Sequence, residues 1–349
     1  MTDELRILAA GDVDRLLRGR ERELIELVRR TYLAHAAGRS VLPHATFLRF
    51  PSDAANRIIA LPAYLNDRAP VAGVKWIASF PANVDAGRTR ASAVLVLNSV
   101  ETGRPLAVLE GSIISLRRTA ASAVLAAQSL HVWQGREAMG VVGCGPVNLS
   151  IVMMLARVAS LDAVWAYDLV SDRAAAFAER LAAAHPAIPV HMAADARDVL
   201  ARCRLVSFAT TASLPYLDDP AALRPGHTIL HVSLRDFGPR AVRAADNVVD
   251  DVDHVCQAGT SVHLAAQGSG DRAFIRCTLA DVLAGRAAAR RSADAAVIFS
   301  PFGLGVLDLA VGQLVLETAR SAAVGIAVPK FCDDGSDRSA ATPTLAARS

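Results

Sequence analysis

The feature that most constrains this chain is a glycine-containing turn that follows one apolar strand and opens a helix. Residues 141–148 read VVGCGPVN, so Gly143 and Gly145 match the first two glycines of a dinucleotide-binding turn. Such glycines permit a tight bend and let backbone N–H groups at the helix N-terminus approach a pyrophosphate. Because Asn148 stands where the third glycine is usual, the turn indicates a nucleotide site only together with its surroundings.

The surroundings of the turn favour a dinucleotide. Asp168 ends the next strand, WAYD, where a carboxylate accepts a hydrogen bond from a ribose 2′-hydroxyl. A carboxylate there repels a 2′-phosphate, which predicts NAD and not NADP as the cofactor. Thr210 and Thr211 end a later strand, at the edge where loops line a cofactor cleft. The alternative is an ordinary strand–turn–helix with a surface aspartate.

The rhythm of apolar segments changes along the chain. From residue 137 to about 300, short apolar strands alternate with helical segments, which indicates parallel pairing in a doubly wound sheet. From 41 to 111, strand-like runs and turn signals predict an antiparallel or mixed sheet, with a hairpin at ETGRP. Helical periodicity covers 12–38 and 115–130, and one more helix follows Asp308.

These patterns predict an α/β fold of two domains. A doubly wound parallel (Rossmann) domain, residues 119–307, is expected to be inserted in an α+β substrate-binding and dimerisation domain, residues 1–118 plus 308–330. The polar tail, 331–349, is expected to be disordered. Because the strand-rich segment has more apolar strand than one layer buries, we expect a homodimer.

Composition excludes several classes of function. Net charge is +3, and the basic residues form no dense block, which argues against nucleic acid as a partner. No apolar run approaches the roughly 18 residues of a membrane span, and the N-terminus lacks an apolar signal core, so we expect a cytoplasmic protein with no membrane partner. The five cysteines are scattered without a C-x-x-C pair, and no metal site is predicted.

Three charged residues stand in otherwise apolar segments. Lys75 lies within VAGVKWIASF, Arg118 near the start of a helix, and Asp236 just past the strand TILHVSL. Singly, these residues are as well explained by an exposed strand lysine, a helix-start anion cap and a turn aspartate. Together, a cation inside an apolar strand and a carboxylate after a buried parallel strand favour a site for a small anionic substrate.

The same stretches resemble the ornithine cyclodeaminase/mu-crystallin family of NAD(P)-dependent enzymes and binding proteins. The resemblance covers about residues 5–330 and rests on five segments. They are GVKWIASFPAN, RASAVLVLNSVETGRPLAVLEGSIISLRRTAASAVLAA, VVGCGPVN, SFATTA and FSPFGLGVLDLAVG. Within the family the chain is most similar to dehydrogenases of N-(2-amino-2-carboxyethyl)-L-glutamate, which supply L-2,3-diaminopropionate for siderophores and peptide antibiotics, through LPHATFLRF, HVSLRD and VVDDVDHVCQAGTSVHL.

The resemblance implies an NAD-dependent oxidoreductase acting on a CH–NH group, with a role for each matching residue. Asp236 and Lys75 are the implied catalytic residues. The implied substrate-binding residues are Lys75, Arg118, Arg49 and His44. The implied cofactor-binding residues are Arg90, Gly143, Gly145, Pro146, Val147, Asp168, Thr210, Thr211, Ser233 and Arg235. The implied reaction is oxidative cleavage of the glutamate adduct to L-2,3-diaminopropionate and 2-oxoglutarate.

Other chemistries on the same scaffold stay open. Ornithine cyclodeaminases carry a D-x-P-G-K segment, and the run from Asp236 to Arg240 reads DFGPR instead. Ornithine cyclodeamination, ketimine reduction and alanine dehydrogenation are the nearest alternatives. A non-catalytic mu-crystallin-like binder of nucleotide and ligand is the alternative from another class, although such a carrier has no need for Asp236.

Overall fold

Two eight-stranded sheets organise the protein, whose computed structural model describes residues 4–84 and 86–332. The strands of the N-terminal half are β1 Glu4–Leu8, β2 Ser40–Val41, β3 Thr46–Phe50, β4 Asp53–Asn66, β5 Pro70–Ser79, β6 Ala91–Asn98 and β7 Pro105–Glu110. Those that follow are β8 Glu137–Val142, β9 Leu161–Tyr167, β10 Val190–Met192, β11 Leu205–Phe208, β12 Thr228–His231, β13 Asp246–Val249, β14 Ile275–Thr278, β15 Val297–Ser300 and β16 Ile326–Pro329.

Helices connect these strands and cover both sheets. They are α1 Ala10–Leu17, α2 Glu21–Ala36, α3 Gly111–Leu130, α4 Pro146–Leu155, α5 Ser171–Ala184, α6 Ala196–Arg202, α7 Pro239–Ala244, α8 Val252–Val255, α9 Ser261–Ser269, α10 Leu279–Leu283 and α11 Gly305–Ser321. The alanine-rich α3 is buried along most of its length and packs against α2, α4 and both sheets. None of the helices in the described ranges is long and apolar enough to cross a membrane.

The first sheet is mixed and carries the expected hairpin. Its order is β16-β1-β7-β6-β5-β4-β2, with β3 also on β4, and every pair is antiparallel except β1 with β7. The predicted ETGRP hairpin joins β6 to β7 and is confirmed. Pro62 of β4 lies between the stretches that pair with β3 and β2, where its missing N–H leaves no ladder bond unmade.

The second sheet is parallel throughout, in the order β10-β9-β8-β11-β12-β15-β13-β14. Helices cross over between its strands, so the predicted doubly wound α/β class is confirmed. The carboxyl ends of β8, β9, β11 and β12 lie at one edge, which is where ligands bind in such sheets. α11 leaves this sheet and packs against β4, β5 and β6 of the first one.

Several boundaries differ from the sequence prediction. The helical region 12–38 is two helices, because the chain turns at Gly19, whose φ is 76°. α3 starts at Gly111 and not at 115, since the Glu110 side chain caps it by accepting from the backbone N–H groups of Ser112 and Ile113. α11 starts at Gly305, ahead of the expected helix after Asp308.

Five short strands were not predicted, namely β1, β2, β10, β14 and β16, which have two to five residues each. Runs of that length carry too few alternations to separate a strand from a loop. The strand β16 pairs with β1 and so returns the chain to the first sheet. The expected disorder covers residues 331–349, of which 333–349 lie outside the described ranges. The domain boundaries stay a prediction.

Candidate functional site

Lys75, Arg118 and a third residue, Asp308, form one buried charged group. The Lys75 Nζ lies 2.7 Å from Asp308 Oδ2, and the Arg118 Nε lies 3.2 Å from Asp308 Oδ1. Strand β5, helix α3 and the first turn of α11 contribute one residue each, and all three side chains are buried. Ser115 Oγ lies 3.3 Å from both cations. With two cations and one carboxylate, the group has one positive charge in excess when Lys75 is protonated.

Burial shifts the ionisation of this group. The pKa of Lys75 is lowered to about 8 because desolvation disfavours the ammonium, and the nearby Asp308 carboxylate limits the shift. Burial would raise the pKa of Asp308, but the charges of Arg118 and Lys75 outweigh it and hold that pKa below its usual range. Sequence reasoning missed Asp308, although an aspartate in the apolar run FGLGVLDLAVG was a signal.

Asp236 is the second buried carboxylate, and it follows β12. Its Oδ1 accepts hydrogen bonds from the Thr210 hydroxyl at 2.5 Å and the Tyr216 hydroxyl at 3.1 Å, and its Oδ2 from the Ser233 hydroxyl. His231 Nε2 lies 3.2 Å from Oδ2. Burial opposes ionisation, but the hydrogen bonds from His231, Ser233 and Thr210 prevail, so the pKa of Asp236 lies below its usual range.

The loop that carries Asp236 is conformationally unusual. Leu234 adopts a φ of 67°, which a side chain with a Cβ rarely takes, and its carbonyl accepts from the Ser261 N–H at 2.7 Å. Tyr216 was not predicted as a site residue. Its backbone N–H donates to the Asp236 carbonyl at 3.1 Å, which places its side chain over the carboxylate although TASLPYLDD showed no motif.

The glycine turn fits a dinucleotide. Gly143 has a φ of 89°, and a Cβ there would lie 2.6 Å from the Ala209 carbonyl oxygen, so the bend requires glycine. Nothing lies within 4 Å of a Cβ built on Gly145, which leaves the N-terminus of α4 open. Asp168 lies beside the turn, and its carboxylate accepts from the Cys144 N–H at 2.8 Å and the Val170 N–H at 2.9 Å.

Asn148 explains how the turn manages without its third glycine. Its side-chain amide is fully buried and donates to the carbonyls of Val142 and Gly143 at 3.0 and 2.7 Å. Its Oδ1 accepts from the Ser207 hydroxyl at 2.7 Å, which ties α4 to β11. The asparagine therefore makes by hydrogen bonds the close helix–strand contact that a glycine makes by its small size.

The remaining predicted residues lie in four places. Pro146 and Val147 form the first turn of α4, and Thr211 is exposed beyond β11. His44 lies between β2 and β3, where its Nδ1 is 2.6 Å from Gln257 Nε2, so the structure does not bring it to Lys75. Arg49, Arg90 and Arg235 gather around a fourth arginine that was not predicted, Arg57.

A cavity of about 100 Å³ lies between Arg118 and the loops that follow two strands of the parallel sheet. Arg118 and Ser122 of α3 line one wall, and Val232, Phe302 and Gly303 line the other. Gly303 has a φ of 94°, and a Cβ there would lie 2.8 Å from an Arg118 nitrogen, so glycine is needed for this approach. In the described ranges, no three His, Cys, Asp or Glu side chains are grouped to hold a metal ion.

Comparison with known proteins finds relatives that match almost the whole chain. The N-((2S)-2-amino-2-carboxyethyl)-L-glutamate dehydrogenase of Staphylococcus aureus is 27% identical over 332 residues, covering 93% of this chain and 98% of that protein. The structure of Thermococcus litoralis Delta(1)-pyrroline-2-carboxylate reductase with NADH and L-proline has a TM-score of 0.85 at 25% identity, covering 93% of this chain and all of that one. An archaeal alanine dehydrogenase dimer with bound NAD has a TM-score of 0.84 at 27% identity, covering 94% and 100%.

These relatives confirm, at the level of the family, the predicted class of NAD-dependent oxidoreductase acting on the CH–NH group of amino acids. Their names also differ in substrate, so the reaction is not fixed by likeness alone. Residues 6–323 match the sequence profile of the ornithine cyclodeaminase/mu-crystallin family. The chain therefore belongs to the ornithine cyclodeaminase/mu-crystallin family, as its sequence predicted.

Proposed function

We propose that the protein oxidatively cleaves N-(2-amino-2-carboxyethyl)-L-glutamate with NAD+ to give L-2,3-diaminopropionate and 2-oxoglutarate. The observation that carries the proposal is the cationic excess of the site. Lys75 and Arg118 share one carboxylate, and four more arginines lie on or near the same side of the first sheet. A substrate with three carboxylates supplies the missing negative charge, whereas alanine or proline supplies one.

Each buried group has a role in this reaction. Lys75 and Arg118 bind the carboxylate beside the reacting carbon through the positive charge that Asp308 leaves uncompensated. Asp308 holds the two cations in position and does not touch the substrate. His231, Ser233 and Thr210 keep Asp236 ionised, and the Tyr216 hydroxyl helps to orient its carboxylate at the carboxyl end of β12.

The reaction balances with one water molecule. NAD+ would supply the hydride acceptor for the glutamate Cα–H, and with loss of the N–H proton the substrate becomes an imine. Water adds to the imine carbon, and the carbinolamine then collapses to 2-oxoglutarate and the free amine. The general base is Asp236, and because its carboxylate is not exposed, the proton reaches it through the Tyr216 hydroxyl, 3.1 Å from Oδ1.

The residues that would hold the dinucleotide are those of the glycine turn and Asp168. The open N-terminus of α4 suits the pyrophosphate, and the Asp168 carboxylate suits the adenosine ribose. Affinity for NADH should exceed that for NADPH, and Asp168→Ser should reduce the difference. Equal affinities in the wild type, measured by fluorescence titration, would contradict this assignment.

Product analysis tests the reaction itself. The protein is incubated with NAD+ and either the glutamate adduct or ornithine at matched concentration, and NADH is followed at 340 nm. Mass spectrometry should detect 2-oxoglutarate and 2,3-diaminopropionate from the adduct and little proline from ornithine. Proline and ammonia from ornithine, with no 2-oxoglutarate from the adduct, would favour cyclodeamination. Cofactor binding with no turnover of amino acids would favour a carrier.

We further infer a homodimer that forms through the outer face of the first sheet. Trp76 and Val94 are paired across β5 and β6, and each keeps more than 40% of its surface exposed. Leu48 adds to this apolar face at 46% exposure. Sedimentation at micromolar concentration should give a dimer, and Trp76→Glu should give a monomer.

We also propose that the reaction takes place in the cytoplasm and supplies diaminopropionate for the synthesis of a siderophore or a peptide antibiotic.

A further inference from the structure

Four arginines from three separate segments converge beyond the Lys75 group. Arg49 of β3 and Arg57 of β4 are directly opposite partners in the antiparallel ladder. Arg57 is also the partner of Ser79 on β5, and the Arg90 Nε lies 3.4 Å from the Ser79 hydroxyl. The fourth member, Arg235, adjoins Asp236, and its guanidinium donates to the Ala258 carbonyl at 2.7 Å.

Within residues 4–84 and 86–332, none of the four guanidinium groups forms an ion pair with an Asp or Glu. Burial and the charges of Arg90 and Arg49 lower the pKa of Arg235, and the nearby Asp236 carboxylate opposes this only in part. The Arg57 Nε is buried without a hydrogen-bond partner. Burial, and then the charges of Arg235 and Arg49, lower the pKa of Arg57, and burial followed by the charge of Arg57 lowers the pKa of Arg90.

Such an arrangement costs stability unless a ligand uses it. Like charges directly opposite each other on neighbouring strands repel, and a buried donor without an acceptor pays its desolvation cost. Arg57 lies on the same face of the first sheet as Lys75, because its partner Ser79 is four residues from Lys75 on β5. The two positions are therefore roughly 13 Å apart along the strand.

We propose that Arg49, Arg57, Arg90 and Arg235 form one binding site for the side-chain carboxylate on the glutamate half of the substrate, with Arg57 as its specificity-determining residue. The inference rests on the proposed function, in which that half has one carboxylate beside the reacting carbon and one at its far end. The Lys75 group takes the carboxylate beside the reacting carbon, and the arginines take the distal one through bidentate hydrogen bonds. Arg90 and Arg235, assigned above to the cofactor by resemblance, thereby belong to the substrate.

A pair of 2-oxo acids isolates the distal carboxylate. The probes are 2-oxoglutarate and 2-oxopentanoate, which have the same chain length and differ by a carboxylate against a methyl group. Binding of each to the NADH-loaded protein is measured by calorimetry, and no amine is present, so nothing turns over. The variants are Arg57→Gln and, as a control for net charge, Arg180→Gln on the exposed face of α5.

The wild type should bind 2-oxoglutarate more tightly than 2-oxopentanoate. Arg57→Gln should weaken the affinity for 2-oxoglutarate about 10- to 100-fold and leave the affinities for 2-oxopentanoate and NADH unchanged. The preference for 2-oxoglutarate should therefore disappear. Arg180→Gln should change none of the three affinities. If Arg57→Gln kept the preference for 2-oxoglutarate, the proposal would be overturned. It would also be overturned if the variant lost affinity for NADH instead, because the arginines would then bind the pyrophosphate of the cofactor.

The same measurement separates this inference from the reaction proposed above. The protein could prefer 2-oxoglutarate in an Arg57-dependent way and yet release no 2-oxoglutarate from the glutamate adduct. That result would support the carboxylate site and overturn the proposed reaction. Turnover of the adduct by a protein whose Arg57→Gln variant keeps an unchanged KM overturns the site and leaves the reaction standing. Arg57→Lys should recover part of the preference, because a lysine retains the charge but not the bidentate geometry.

Discussion

Asp308 and Asp236 are both fully buried carboxylates, yet their partners are of opposite kinds. Asp308 faces an ammonium and a guanidinium, with N–O distances of 2.7 and 3.2 Å. Asp236 faces three hydroxyl groups and an imidazole. A carboxylate between two cations has little to gain from a proton, whereas one held by hydroxyl groups can accept it and pass it on. The difference separates a positioning carboxylate from a reactive one.

The largest effect should come from Asp236→Asn, which keeps the size of the side chain but cannot take a proton. We expect kcat to fall about 100- to 10,000-fold, as is typical for loss of a general acid–base group, with NADH affinity nearly unchanged. Steady-state kinetics with the glutamate adduct and an NADH titration measure the two quantities. Tyr216→Phe should also lower kcat, because it removes the hydroxyl that relays the proton. Turnover of Asp236→Asn within a few-fold of the wild type would assign the base elsewhere.

Asp308→Asn should act on stability instead. Removing the counterion leaves Lys75 and Arg118 buried without a compensating negative charge. The free energy of unfolding, measured by urea denaturation at pH 6, should therefore fall by about 3–5 kcal/mol. The loss should be smaller at pH 9, where Lys75, with a pKa of about 8, is mostly uncharged. Asp12→Asn, which breaks the exposed pair with Arg15, is the control and should cost less than about 1 kcal/mol. An equal loss in both variants would remove the distinction between the two carboxylates.

The parallel sheet and its crossover helices could be predicted from the sequence because their apolar residues recur with a regular spacing. The alternation of strand and helix, the glycine turn and Asp168 are local patterns whose meaning depends on neighbours in the chain. Lys75, Arg118 and Asp236 were found because each interrupts an apolar segment or follows a strand end. Their family roles supplied the rest, and those roles stay predictions until variants are measured.

What the sequence could not predict depends on register and long-range contact. Asp308 meets Lys75 across 233 residues of chain, and Arg57 is opposite Arg49 only because β3 and β4 pair in one particular register. A shift of that register by one residue would put one of the two arginines on the other face of the sheet. Tyr216 reaches Asp236 through a backbone bond in an irregular loop, which has no periodicity to read.

Lys75 provides a third and smaller contrast, because burial brings its pKa into the range in which binding can be measured. Its pKa of about 8 means that it loses its proton above that pH, and the substrate carboxylate then loses one of its two cations. The dissociation constant of 2-oxoglutarate should therefore be constant below pH 7 and rise above pH 8. The rise should be at most about 10- to 100-fold, which is the contribution of one charge-assisted contact. Calorimetry from pH 6.5 to 9.5 measures it, and Lys75→Arg should flatten the curve. Affinity that improves with pH would mean that Lys75 acts as a base.

The smallest effect concerns the four clustered arginines, which form no ion pair with a carboxylate in the described part of the chain. If Arg49 and Arg57 repel each other in the free protein, Arg57→Gln should raise the free energy of unfolding by about 0.2–1 kcal/mol, although it weakens binding of the dicarboxylate. The gain should shrink in 0.5 M salt, because screening acts on the repulsion and not on packing. Arg180→Gln, which removes an equal charge from an exposed position on α5 outside the cluster, should leave the free energy of unfolding in urea at low salt unchanged. A variant that is stabilised when free and impaired when liganded has traded binding for stability, which is the behaviour of a residue kept for its ligand. Destabilisation of the free protein by Arg57→Gln would instead make Arg57 a structural partner of its own sheet and would leave Asp236 and Lys75 to select the substrate.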